Sequence, residues 1–156
     1  MSVDKVRSYL KNFSKDRDII ETEQSSATVA LAAQALGTEP QRIAKSLAFQ
    51  GETGVILVVT SGDCRIDNAK FKRQFGRKAT MLGQQETLEL VGHAVGGVCP
   101  FALQEGVEVF LDVSLKRFQT VYPACGSSNS AIQLTPDELE QCAQFFRAWV
   151  DVCKTV

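Results

Sequence analysis

The chain has 156 residues, 44% of them hydrophobic and 22% charged, with 17 basic and 18 acidic side chains and a net charge of -1. That length suits one ordinary domain with its own core, and the near balance of charge excludes a general DNA coat or a polybasic membrane binder, whose affinity comes from neutralising many phosphates at once. The five cysteines (Cys64, Cys99, Cys125, Cys142, Cys153) are odd in number and never spaced C-x-x-C, which argues against a disulfide framework or a zinc cluster and for a reducing cytosol.

In chain order, Val3, Val6, Leu10 and Phe13 recur at helical spacing and predict a first helix, and "DIIET" (18–22) suits a short strand. No apolar signal core leads it, and no apolar run approaches the ~20 residues that span a bilayer. Ser25 or Ser26 can cap a second helix through "ATVALAAQAL", ended by Gly37, a residue that tolerates the left-handed conformation. Pro40 favours a short helical piece, after which "RIAKSLAFQ" and "VILVVTS" read as two strands around a turn. Strand alternation puts Lys45 on one face with Leu47 and Phe49, and Ala44, Ser46 and Ala48 on the other. A lysine on an apolar face demands a reason.

Asp67 or Asn68 caps the next helix and Gly76 stops it. Between Lys70 and Lys78 it carries five cations (Lys70, Lys72, Arg73, Arg77, Lys78) and no acidic residue, while Phe71 and Phe75 fall one turn apart on one stripe. Such a run serves either a solvated face or a phosphate contact. "KATML" predicts a strand, "QQETLELV" a short helix and "VGGVCPF" a loop. Strands follow at Val107 to Val113, Phe118 to Ala124 and Ser130 to Leu134, with "CGSSNS" as the turn between the last two. Thr135, Pro136 and Glu138 supply the N-cap, first-turn proline and capping-box glutamate of a long final helix, with Leu139, Cys142, Phe145, Phe146 and Trp149 as its apolar stripe. One α+β domain with a mixed sheet, spanning 1–156, is the economical architecture.

The sequence has no G-x-x-x-x-G-K-[ST] phosphate loop, G-x-G-x-x-G fingerprint, H-E-x-x-H or G-x-S-x-G elbow, and His93 is its only histidine. Three segments could still make a site. Lys45 is desolvated, held against an anionic ligand, or snorkelling at a strand end. In "VGHAVGGVCPF" (91–101), Gly96 and Gly97 let backbone approach a ligand and aim consecutive N-H groups at one oxygen, and Pro100 stiffens the exit. In "CGSSNS", Ser127, Ser128 and Asn129 offer donors and acceptors that can rim a pocket.

Taken together and in order, "SATVALAAQALG", "RIAKSL", "GDCRIDNAKFKRQFG", "VGGVCPF" and "GSSNSAIQLTPDEL" resemble the YbaK/prolyl-tRNA-synthetase-associated domain family of aminoacyl-tRNA deacylases, over roughly Ser25 to Leu139. The resemblance implies a single compact α+β domain, with a mixed, partly barrel-like sheet flanked by helices and a pocket for the aminoacylated 3′ end of tRNA. Members of the family clear amino acids wrongly attached to tRNA, commonly to tRNA(Pro). The family's essential lysine falls on Lys45, its glycine-proline loop on Gly96, Gly97 and Pro100, and its later turn on Gly126, Ser127 and Asn129.

The function so implied is trans-editing in the cytoplasm: hydrolysis of the ester of cysteine, alanine or serine on a tRNA, without metal or cofactor. The partner is the acceptor end of aminoacyl-tRNA, with a prolyl-tRNA synthetase as a candidate second partner and neither membrane nor DNA involved. Lys45 and the backbone of Gly96, Gly97, Val98 and Cys99 are the expected catalytic groups. Ser46, Pro100, Phe101, Gly126, Ser127, Ser128 and Asn129 are expected around the substrate, and Lys70, Lys72, Arg73, Arg77 and Lys78 on the tRNA. An aminoacyl ester is labile, so positioning can suffice and no protein nucleophile is assigned. Two departures leave the amino acid open: "CGSSNS" stands where the cysteine-specific branch carries two glycines and a basic residue, and no histidine follows His93, where the alanine-specific branch uses one. Two rival readings are a Cys99 nucleophile with His93 as its base, and a non-catalytic module that binds tRNA or an amino acid within a synthetase complex.

Overall fold

The computed structural model describes residues 2–25 and 27–155. Its first half holds α1 (Ser2–Leu10), β1 (Ile20–Glu21), α2 (Val29–Leu36), β2 (Ile43–Gln50), β3 (Val55–Ser61), β4 (Cys64–Ile66), α3 (Asn68–Phe75) and α4 (Gln84–Val91). The second holds β5 (Val107–Asp112), β6 (Tyr122–Pro123), β7 (Ser130–Ala131), α5 (Pro136–Cys142), β8 (Phe146–Val150) and β9 (Cys153–Thr155).

β2 and β3 pair antiparallel along their length, Ala44 opposite Ser61 and Gln50 opposite Val55. They read as nearly continuous apolar runs because the sheet they centre is covered on both sides. Ala44, Ala48, Leu57 and Val59 face a large core with Leu10, Phe101, Leu111 and Leu139, whereas Phe49, Ile56 and Val58 face a smaller one with Phe71, Val150 and Val152. The alternation expected for β2 is therefore observed. β5 lies parallel to β3, β8 parallel to β5, and β6 parallel to the other edge of β2, giving the order β6-β2-β3-β5-β8. This is the expected α+β architecture, with its mixed sheet curled into a half-barrel.

Most helix ends form where local chemistry marks them. Thr28, rather than Ser25, caps α2 by accepting from Leu31 N, and Gly37 closes the helix at φ 66°; Ser26 lies outside the described residues. Asp67 caps α3 by accepting from Lys70 N, and Phe71 and Phe75 stack on its buried side with ring centroids 4.6 Å apart. α5 opens on the Thr135 and Glu138 capping box.

The long final helix is not formed. α5 stops at Cys142, Phe145 takes a left-handed φ of 56°, and Phe146–Val150 becomes β8. Apolar positions at 142, 146 and 149 fit a helical stripe, but the outer edge of β5 needs hydrogen-bond partners, and this segment supplies them. "KATML" reduces to a bridge between Met81 and Phe49, and the strands expected at 118–124 and 130–134 shrink to β6 and β7 with single bridges beside them. Among the described residues, no helix is long and apolar enough to cross a membrane.

Candidate functional site

The outer edge of β2 is covered at its two ends. β6 pairs with Ile43 and Ala44; further along, Leu82 N donates to Ala48 O and Gln50 N donates to Thr80 O. Between these contacts, among the described residues, no strand reaches Lys45, Ser46 or Leu47, and a cavity of about 290 Å³ opens there. α2 contributes Val29, Ala32 and Leu36 to its wall, the glycine loop Gly96 and Val98, and the β6 and β7 region Tyr122, Ala124 and Ser130.

Lys45 is half-buried in this largely apolar wall and has no hydrogen bond or ion pair among the described residues. Its neighbour across the hairpin is the buried Thr60, whose hydroxyl is spent on the Ser61 carbonyl. A cation without a protein counter-ion, in a cavity of ligand size, is placed to receive an anion. Its charge is felt at the Cys153 thiol, which burial pushes upward and which Lys45 pulls weakly the other way. Ser46 also lines the cavity, and its Oγ is buried without a hydrogen-bond partner among the described residues.

The two loops that bracket this space differ in role. Gly96 lines the cavity at φ 101°, and a Cβ there would lie 3.6 Å from Ser128 Cβ. Gly97 faces the other loop, and its N-H is already donated to Ala94 O at 2.9 Å. Ser127 Oγ bonds Asn129 Oδ1 and Ser130 Oγ, while Asn129 Nδ2 donates to Thr22 O at 2.9 Å, so this turn is tied back to the segment after β1. Of the expected catalytic and substrate residues, the cavity brings together Lys45, Ser46, Gly96 and Val98. Gly97, Cys99, Pro100, Phe101, Gly126, Ser127, Ser128 and Asn129 stand outside its wall.

Cys99 and Phe101 are wholly buried, and burial pushes the Cys99 thiol up to about 12. His93 lies beside Cys99, Nε2 to Sγ 3.5 Å, but the same nitrogen is 2.7 Å from Phe101 O, which can only accept. Nε2 therefore carries the proton, and burial lowers the ring's pKa, so His93 is a neutral core residue. It is no base for Cys99.

On α3, Lys72 and Arg73 are exposed, as is Lys78 just beyond the helix. Lys70 is engaged, with Asp151 Oδ1 at 3.1 Å and Cys153 O at 2.9 Å, and Arg77 Nε is buried without a partner among the described residues. Sequence reasoning missed the α2 face, Met81 and Tyr122 as walls of the cavity. The i, i+3, i+7 spacing of Val29, Ala32 and Leu36 marked an apolar face, but not that part of it would stay uncovered.

Residues 23–142 match the family model of the aminoacyl-tRNA editing domain. The chain is 55% identical over 155 residues to the uncharacterized protein YwhH of Bacillus subtilis (strain 168), covering 99% of this chain and 98% of that one. It is 28% identical over 103 residues to the proline-tRNA ligase of Bacillus pumilus (strain SAFR-032), a match that covers 65% of this chain and 18% of the ligase. A solved structure described as a candidate trans-editing enzyme for prolyl tRNA synthetase aligns with TM-score 0.86 and 32% identity, covering 98% of this chain and 97% of that one.

Proposed function

Since the chain belongs to the aminoacyl-tRNA editing domain family, we propose that it is a cytoplasmic trans-editing deacylase, which hydrolyses the ester of a small, wrongly attached amino acid on a tRNA. The likeness to part of a proline-tRNA ligase, and to a candidate trans-editing enzyme for prolyl tRNA synthetase, favours tRNA(Pro) as the carrier. The observation that carries the reading is the unpaired Lys45 sharing one cavity with Gly96 and Val98.

In this mechanism the Lys45 ammonium grips a phosphate of the terminal nucleotides or a nearby substrate oxygen, and so fixes the ester against the glycine loop. Backbone N-H groups at Gly96 and Val98 stabilise the charge that grows on the ester carbonyl oxygen; Gly97 N-H, held by Ala94 O, shapes the turn instead. Water attacks the carbonyl carbon, the ester C-O bond breaks, and the 3′-terminal ribose leaves with a proton from solvent. No protein nucleophile is required, because aligning water with an already labile ester accounts for the acceleration. Lys72 and Arg73 contact the acceptor stem through its phosphates.

The test is release of amino acid from alanyl-, cysteinyl-, seryl- and prolyl-tRNA(Pro), with enzyme far below substrate. Many turnovers on a mischarged tRNA, with prolyl-tRNA(Pro) spared, are expected. Tight binding with no release would establish the accessory-module reading instead.

A further inference from the structure

We infer that the amino acid removed carries a side-chain hydroxyl, as serine and threonine do, and that Ser46 selects it; the inference rests on the deacylase reading above. Ser46 sits at the middle of the uncovered stretch of β2. In an antiparallel ladder, successive residues turn their N-H and C=O groups alternately to the two neighbouring strands. Ala48 O and Gln50 N both bond outward, to Leu82 N at 3.0 Å and Thr80 O at 2.8 Å. Ser46 has the same parity, so its N-H and C=O open on the gap.

A ligand lying along that edge extends the sheet by one residue, as peptides do when they add to an exposed strand. Its α-ammonium meets the Ser46 carbonyl. A residue paired opposite Ser46 turns its side chain to Ser46's own face, within reach of Oγ. On that face Ala44, Ala48, Val98, Ala124 and Ala131 line the cavity with short apolar groups, leaving room for a small side chain.

The state of the hydroxyls lining the cavity decides which small side chain. Thr28 Oγ1 accepts from Leu31 N, Thr87 Oγ1 donates to Gly83 O at 2.7 Å, and Ser130 Oγ bonds Ser127 Oγ at 2.7 Å. Ser46 Oγ is the short hydroxyl left without a partner among the described residues of that wall. A serine or threonine hydroxyl both donates and accepts, and so completes it; an alanine methyl leaves it unpaired, and a thiol is a weak partner. A site built around a substrate hydroxyl rejects the analogue lacking it far more strongly than a merely apolar pocket separates one methylene.

The experiment compares kcat/KM on seryl-, alanyl- and cysteinyl-tRNA(Pro) for the wild-type protein, Ser46→Ala and Ser46→Thr, with Tm measured for each. The wild type should favour seryl over alanyl by about tenfold or more, Ser46→Ala should collapse that ratio, and Ser46→Thr, which keeps the hydroxyl, should retain it. A wild-type preference for alanyl or cysteinyl substrate overturns the inference, as does a seryl preference that Ser46→Ala leaves intact. Should Ser46→Ala fail to fold, the wild-type ratios and Ser46→Thr still decide. Hydrolysis of no member of the panel overturns the deacylase reading itself, whereas hydrolysis with the wrong preference overturns this inference alone.

Discussion

Gly97 and Gly126 meet backbone against backbone: a Cβ on Gly97 would lie 2.6 Å from the Gly126 carbonyl carbon and 2.7 Å from Ser127 N. The missing side chain lets the two loops beside the cavity lock together. Gly97→Ala must push them apart, at a cost of about 1–3 kcal/mol, the range for overpacking a tight site. Urea denaturation should show the loss, and deacylation should fall with it because Gly96 and Val98 move.

Lys45 stands apart from that framework. With no hydrogen bond or ion pair among the described residues to break, Lys45→Ala should leave circular dichroism and Tm nearly unchanged. Turnover on the best mischarged tRNA should drop by about 100-fold or more, the scale seen when one electrostatic contact to the reacting groups is removed. Retained turnover would refute its role.

All five cysteines are buried, and Cys99, the one placed in the glycine loop, is held protonated well past neutral pH. Thiolate is the reactive form, so iodoacetamide at pH 8 should leave the folded protein unmodified and active, and label it only after urea is added. Inactivation of the native protein would restore Cys99 as a candidate nucleophile.

Asp63 receives a forked Arg117, Nη2 to Oδ1 at 2.6 Å and Nη1 to Oδ2 at 3.1 Å, together with the Ser61 hydroxyl at 2.6 Å. The Arg117 guanidinium, foremost, holds this carboxyl down at about 2. A carboxyl whose pKa is depressed in the folded state stabilises the fold above its ordinary ~3.9, and that contribution is lost as pH falls towards the folded value. Asp63→Asn should therefore cost on the order of 1 kcal/mol at pH 7, solvent screening included, and the gap from wild type should close between about pH 4 and 2. Urea titrations of both proteins across that window measure it.

Lys72 and Arg73 can be replaced without touching the core, since Phe71 is the residue that anchors α3. Their double alanine variant should raise KM for aminoacyl-tRNA, and the slope of log(kcat/KM) against log salt should become shallower by roughly one for each phosphate no longer neutralised. An unchanged slope would return these cations to simple solvation.

The sequence carried much of this, element by element. The Ile43–Gln50 and Val55–Ser61 hairpin, the Asp67 cap with its Phe71 and Phe75 stripe, and the Thr135 capping box are all written in neighbouring residues. Lys45 stood out because a cation broke an apolar alternation. By contrast, β8 was invisible: Phe146 to Val150 fits two periods, and the choice lies with β5, a strand distant in sequence. The cavity was half visible for the same reason. Its polar members are local anomalies, but Tyr122 and Met81 line it only through where β6 and the 80–82 segment stop along β2.

The late strands set the order of assembly. β8 lies alongside β5 and β9 alongside β4, so a nascent chain emerging from the ribosome exposes two unpaired borders until residues 146–155 have been synthesised. Most of the cavity wall can condense earlier, but the layer behind Phe49 and Phe71 must wait for Val150 and Val152. Premature termination just before Phe146 should consequently yield a sticky, chaperone-dependent product rather than a smaller soluble enzyme.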